Sequence, residues 1–237
     1  MTDSYQPIID REFAEKFLRA ADDPFAYPVY LLFHEFWAGA PQSAIDGYLE
    51  TLHGLPGAEA FLAERHLPEP LTMDDLAACA PGTLGHAFRR FVVDGDLTES
   101  LARDYKAFNE QLTSQGALDR LPEDLSYTIV RGFQMHDMLH VITGHDASPL
   151  GELGMAAFHF AQLRFPYHAI RMAVTMAHLA FVQPGHTESA MDAISRGWLM
   201  GRSIDNIHFV KWEQELHTPL DDIRARVGVT PMLAQAA

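Results

Sequence analysis

PEDLSYTIVRGFQMHDMLHVITG, residues 122–144, opens on a proline followed by two acids and closes on a glycine. Proline suits a helix start, acids suit the positive end of the helix dipole, and glycine suits the left-handed residue that ends a helix. The stretch is therefore punctuated as one long helix. Within it Ile129, Phe133, His136 and His140 recur at spacings of four and three, which keep returning to one side of a 3.6-residue turn.

Working outward, the same periodicity recurs between proline or glycine breaks, and no segment sustains the alternation of a half-buried strand. Further start signals are Asp10 before REFAEKFLRA, Thr72 with Asp75 in TMDDLAACA, Thr83 after a Pro-Gly pair, and Thr98 before ESLARDYKAFNEQL. Residues 54–70 read as turns around one short helix. Pro166 divides the apolar run 152–183 into two helices or kinks a single one. The reading is an all-α protein, a single compact helical domain. It is described in three parts: an N-terminal helical part, 1–79, a helical core, 80–230, and a tail, 231–237.

With 237 residues, 48% of them hydrophobic, the chain is long enough for one substantial core and too short for two large ones. Its single cysteine, Cys79, rules out an internal disulfide or a cysteine-based zinc module, so any metal must be held by His, Asp and Glu. The opening MTDSYQPIIDREF has neither the charge pattern nor the apolar stretch of a targeting signal. The uncharged run between Arg171 and Glu188 is 16 residues and contains Pro184 and Gly185, short of the roughly 20 apolar residues of a membrane span. A cytoplasmic protein is expected, touching the inner face of the membrane only peripherally. A net charge of −15 argues against nucleic acid as a partner. Residues 1–159 carry 10 basic against 25 acidic side chains and residues 160–237 carry 7 against 7, so any approach to an anionic lipid surface belongs to the C-terminal third.

Two histidines on consecutive turns of an otherwise apolar face need partners, and one cation between them satisfies both. His136, Asp137 and His140 fall within a wedge of about 100°, so one helix can present all three. Gly144 ends that helix, and Ser148 as cap with Pro149 as first residue begins the next. The reversal can fold Glu152 back over the histidines. Two neutral imidazoles and two carboxylates would cancel the charge of a divalent ion. The plainer alternative is that Glu152 only favours a helix start while His145 and Asp146 are loop polars. An HxxxH pair by itself has a chance expectation of about 0.7 here, and adding the Asp and the Glu at fixed positions lowers it to about 0.003.

These residues resemble the hallmark of the coenzyme Q biosynthesis protein 4 family: HDxxH, eleven residues, then E. The neighbours are similar as well: HDMLHVITGH with GELGMAAF, PGTLGHAFRRFV upstream, Gln162 and Pro166, RGWLMGR, and WEQELHTPLDDIRARVGV near the end, over about residues 80–228. Two positions depart from the family pattern, Phe133 in place of Arg and Ala156 in place of Lys, and residues 1–80 lack the usual opening. The resemblance implies a metal held by His136, Asp137, His140 and Glu152. Zinc is the implied ion, while the nitrogen and oxygen donors also suit iron or manganese. It further implies ubiquinone biosynthesis, with loss of the C1 carboxyl, oxidatively, from a polyprenylated hydroxybenzoate. Expected partners are that prenylated precursor, other ubiquinone biosynthesis proteins, the membrane surface in passing and, in a homodimer, a second copy.

A prenyl tail needs an apolar channel beside the metal. Met155, Phe158, Phe160, Phe165, Tyr167, Met172, Met176 and Phe181 are read as its lining, although such residues are ordinarily core. Competing readings are a non-catalytic lipid-binding scaffold with a saturated metal and a metallohydrolase of the HD-phosphohydrolase type, for which His34 and Arg131 would serve. A zinc protease would need HExxH, and the shorter Asp137 replaces that Glu.

Overall fold

The computed structural model describes residues 11–23, 37, 39–114 and 121–230. Among them the regular elements are helical, with one isolated antiparallel bridge between Thr83 and Pro219. The helices are α1 (Arg11–Asp22), α2 (Gln42–His53), α3 (Ala58–Glu64), α4 (Met73–Ala77), α5 (Leu84–Asp94), α6 (Thr98–Leu101), α7 (Tyr105–Ser114), α8 (Glu123–Thr143), α9 (Pro149–Leu163), α10 (Pro166–Val182), α11 (Thr187–Ser203) and α12 (Leu220–Val227). The expected cap Asp10 and the tail 231–237 lie outside the described residues.

The start signals act through specific bonds. Thr72 Oγ1 accepts from Asp75 N at 3.1 Å while the Asp75 carboxylate accepts from Thr72 N at 2.8 Å, a reciprocal cap on α4. Thr83 Oγ1 accepts from His86 N. The stretch after Thr98, expected as one helix, is two. Asp104 Oδ1 accepts from Ala107 N at 2.9 Å, so an aspartate side chain starts α7 afresh instead of letting α6 continue. At Pro166 the outcome is two helices: Arg164 turns left-handed at φ 55° and the proline becomes the first residue of α10.

The 21-residue α8 runs through both main apolar clusters. Its first half, with Leu125, Tyr127 and Ile129, packs with Ile45, Leu52, Leu62, Leu163 and Phe165, joining α2 and α3 to the start of α10. Its second half, with Met135, Met138, Leu139 and Ile142, packs with Leu84, Phe88, Met155, Phe158, Trp212 and Ile223. Full burial of such side chains contributes about 1.5–3 kcal/mol each, enough to hold a helix that also carries two histidines into the interior. Its C-terminus is tied down twice. Gly144 takes φ 81° as the left-handed cap, and Arg224 donates to the carbonyls of Ile142 and Val141 at 3.0 and 2.8 Å.

α9 is buried on nearly every side and lies against α11 through small residues. A Cβ at Gly197 would stand 2.0 Å from the carbonyl oxygen of Gly154, and one at Gly201 would stand 2.7 Å from Ala161 Cβ. That closeness fixes the depth at which α9, and the Glu152 near its start, sits against α11.

Candidate metal centre and its cavity

α8 presents His136 and His140 from successive turns toward the start of α9. The return is tight. Asp146 Oδ1 accepts from Ser148 N at 3.0 Å, Ser148 Oγ accepts from Gly151 N at 3.1 Å, and a Cβ at Gly151 would stand 2.0 Å from the Asp146 carbonyl oxygen. Only glycine admits the loop there, and the next residue is Glu152.

The result is three donor groups converging. His140 Nε2 lies 3.1 Å from Glu152 Oε1 and 3.1 Å from His136 Nε2, and His136 Nε2 lies 3.5 Å from Glu152 Oε2. Among the described residues these three form the one group of potential ligands mutually within 4.8 Å. Bonds of 2.0–2.1 Å to a tetrahedral ion set ligand atoms about 3.3 Å apart, which is the spacing here. The outer nitrogens strengthen the fit. His140 Nδ1 faces the carbonyl oxygen of His145 at 3.3 Å and can only donate to it, so its Nε2 carries a lone pair. That lone pair confronts another imidazole and a carboxylate, an arrangement a cation resolves. Burial favours the neutral acid at Glu152, but the adjoining His136 and His140 imidazoles outweigh it and hold the carboxyl well below its usual range.

Asp137 does not join this group. One residue on from His136 it is rotated about 100° around the helix, and it lines the adjoining cavity and a second recess with Gln134, Met138 and Glu213. The structure brings together three of the four expected ligands.

The cavity beside the three ligands has a volume of about 220 Å³ and is bounded by one stripe from each of three helices. α8 contributes Thr128, Ile129, Gly132, Phe133, His136 and Asp137, α9 contributes Glu152, Ala156, His159 and Leu163, and α10 contributes Tyr167, His168 and Arg171, with Phe165, His208 and, at and before the start of α7, Arg103 and Tyr105 completing the wall. Of the eight expected channel residues, Phe165 and Tyr167 line it. Met155 and Phe158 are fully buried in the core on the other side of α9, Phe160 packs on Trp198 at 5.8 Å, Met172 and Met176 are half-buried along α10, and Phe181 is 88% exposed. The expectation followed residue type, whereas the wall follows helical phase: 152, 156, 159 and 163 share a face and 155 and 158 do not.

The same phase exposes what the sequence reading passed over. His159 lies seven residues beyond Glu152, on its face. His159 and His208 are buried and His168 is half-buried, and loss of solvation pushes each imidazole well below its normal range, His208 to about 3. His145, beside the ligand pair, falls to about 4 by burial and the proximity of His140. These are neutral imidazoles packed round one site. Arg171 Nη2 reaches Glu152 Oε2 at 3.3 Å and Nη1 reaches the Tyr167 hydroxyl at 3.4 Å. The two departures from the family pattern, Phe133 and Ala156, both face this cavity.

Arg131, named for the phosphohydrolase alternative, does not line the cavity. Arg131 is 1% exposed, bonds Glu213 in a buried ion pair and donates to Gln134 at 2.7 Å, away from the cavity; His34 lies outside the described residues.

An all-helical protein carrying a His₂-carboxylate cluster at the wall of a cavity is, as a class, a candidate helical metalloprotein. The family is specific: residues 62–232 match the model of the coenzyme Q (ubiquinone) biosynthesis protein Coq4, and the chain belongs to that family. It is 25% identical over 195 residues to the mitochondrial ubiquinone biosynthesis protein COQ4 of Eremothecium gossypii, covering 79% of this chain and 55% of that one. Against the mitochondrial COQ4 homolog of Danio rerio it is 27% identical over 179 residues, covering 73% and 60%. A crystal structure from Nostoc punctiforme, of a protein ascribed to ubiquinone biosynthesis, superposes with a TM-score of 0.69 at 26% identity, over 92% of this chain and 95% of that one. The matches span from 36% to 60% of the length of these and similar curated relatives. No helix among the described residues is long and apolar enough to cross a membrane.

Proposed function

We propose that the chain acts in ubiquinone biosynthesis by removing the C1 carboxyl of a prenylated hydroxybenzoate, with a divalent ion held by His136, His140 and Glu152. The observation that carries this reading is the meeting of those three ligand atoms at the wall of a cavity that is otherwise mostly apolar. Three protein ligands leave a position of a four-coordinate ion for substrate, as catalytic sites do. When bound, the ion would stabilise negative charge on a ring oxygen as CO₂ leaves.

The chain's residues supply the rest. With a cation taking up the charge of Glu152, Arg171 would keep its contact to the Tyr167 hydroxyl and could present its guanidinium to a carboxylate at the cavity wall. Ile129, Phe133, Leu163 and Phe165 exclude water from the ring and hold the beginning of the tail. The C1–carboxyl bond breaks, CO₂ departs, and the ring carbon takes a proton. Where a hydroxyl replaces the carboxyl instead, O₂ is the oxidant: one oxygen atom enters the new ring hydroxyl and the other leaves as water, with two electrons and two protons supplied by an external reductant.

The test is release of labelled CO₂ from a carboxyl-labelled, prenylated 4-hydroxybenzoate by purified protein, stripped and reloaded with zinc, iron or manganese. Release that depends on the metal is expected. Stoichiometric binding of ion and ligand with no release under aerobic, reducing conditions would leave a lipid-binding scaffold in its place.

A further inference from the structure

Beyond the three ligands, the side chains with the most specific unexplained arrangement are a row of imidazoles running inward from His136. His136 Nδ1 lies 3.1 Å from His159 Nε2, and His159 Nδ1 lies 2.5 Å from His208 Nε2. His159 is wedged between the rings of His136 at 5.2 Å and His168 at 4.8 Å, so it has little freedom to turn. The far nitrogen of the row, His208 Nδ1, is buried and has no hydrogen-bond partner.

A neutral imidazole has one donor nitrogen and one acceptor, so the order of the row follows from either end. If His136 gives its Nε2 lone pair to an ion, its Nδ1 bears the proton and donates to His159 Nε2. His159 then bears its proton on Nδ1 and donates to His208 Nε2, and the remaining proton falls on His208 Nδ1. We infer that His159, backed by His208, is the positioning residue that sets the tautomer and ring angle of His136 and so makes it a metal donor. It is the counterpart of the His145 carbonyl at His140, with one difference: a carbonyl only accepts, whereas His159 accepts only in the tautomer that His208 stabilises. Ligand histidines ordinarily pass their second proton to a carboxylate, carbonyl or water, and losing that partner weakens metal binding about 10- to 100-fold.

This inference rests on the metal reading of the same site, and the experiment separates the two. Zinc affinity is measured by chelator competition on native protein, His159→Leu and His159→Gln, with a thermal melt of each, and the histidine tautomers of zinc-loaded native protein are read by ¹⁵N NMR. His159→Leu fills the space without an acceptor and should bind zinc about 10- to 100-fold more weakly. His159→Gln, whose amide oxygen can accept, should recover most of that loss. In the native protein the proton of His159 should be found on Nδ1. That last measurement needs no variant, so it decides even if the leucine protein does not fold. A folded leucine variant within about twofold of native, or His159 protonated on Nε2 in the loaded protein, overturns the relay and leaves the metal site standing. Native protein that takes up no divalent ion overturns both.

Discussion

At the scale of single residues the site separates ligands from neighbours. Under the proposed metal reading Glu152 would supply both the third donor and the negative charge that an ion at this wall requires, while Asp137 lies outside the group of converging donors. Glu152→Gln should therefore stay folded yet lose bound metal, because an amide removes the charge while keeping the shape. Asp137→Asn should retain about one ion per chain. Metal analysis of the two purified variants checks this, and equal loss from both would restore Asp137 as a ligand. The contrast also marks where sequence stops being informative. His136, His140 and Glu152 were legible because a single helix, a glycine and a capped turn fix their relation within 17 residues of chain. His159, His168 and His208 were not, since they come from other elements, and nothing in an isolated histidine says which cavity its helix turns it toward. Its position seven residues from Glu152 was the available signal.

Among elements, α9 and α11 set the precision of the site. Gly197 has the Gly154 carbonyl oxygen where its Cβ would be, 2.0 Å away, and backbone cannot give way as a side-chain tip can. Gly197→Ala should cost at least about 1–3 kcal/mol of overpacking, lowering the melting temperature by several degrees at about 2–4 °C per kcal/mol for a chain this size. Because α9 must move, Glu152 moves with it and metal affinity should fall too. Gly47 provides the opposite case: it is exposed within α2 with nothing within 4 Å of its Cβ position. Gly47→Ala should stabilise by about 0.5–1 kcal/mol through helix propensity and leave metal binding unchanged. Calorimetry with metal titration of both variants is the check, and a Gly197→Ala protein as stable as native would mean that this contact is not what seats α9. Helix existence was readable from periodicity and from caps such as Thr72 and Ser148. The break between α6 and α7 was missed because Asp104 reads equally well as a surface residue within a helix or as a new cap, and only the backbone's choice distinguishes them. The depth of α9 against α11 was likewise unreadable, since glycine's spacing in sequence does not say what approaches it.

For the whole molecule the proposed prenylated ligand raises the question of where a long tail would go. The cavity of about 220 Å³ is below the roughly 300–1,000 Å³ typical of sites that enclose a drug-sized ligand. The long channel expected along residues 155–181 would need the faces of α9 and α10 that carry Met155, Phe158 and Met172, and the first two are core. The cavity has room for a ring and the start of a chain, with Phe133 half-exposed at its edge, while Phe181 and Val182 stand exposed at the end of α10. The remainder of a tail would then lie outside the protein, as a lipid presented from a membrane surface would, and the charge-balanced C-terminal third is compatible with that approach. A series of 4-hydroxybenzoates bearing tails of increasing length makes the distinction in thermal melts. Every enclosed methylene would add about 0.8 kcal/mol of binding, so a closed channel predicts a melting temperature that climbs steadily with each isoprene unit. An open-ended cavity predicts a rise over about the first two units and a plateau thereafter, with longer tails gaining only when vesicles are present. A shift that keeps climbing in vesicle-free solution, with ligand monomeric, would place the tail inside the helices and require α9 and α10 to part.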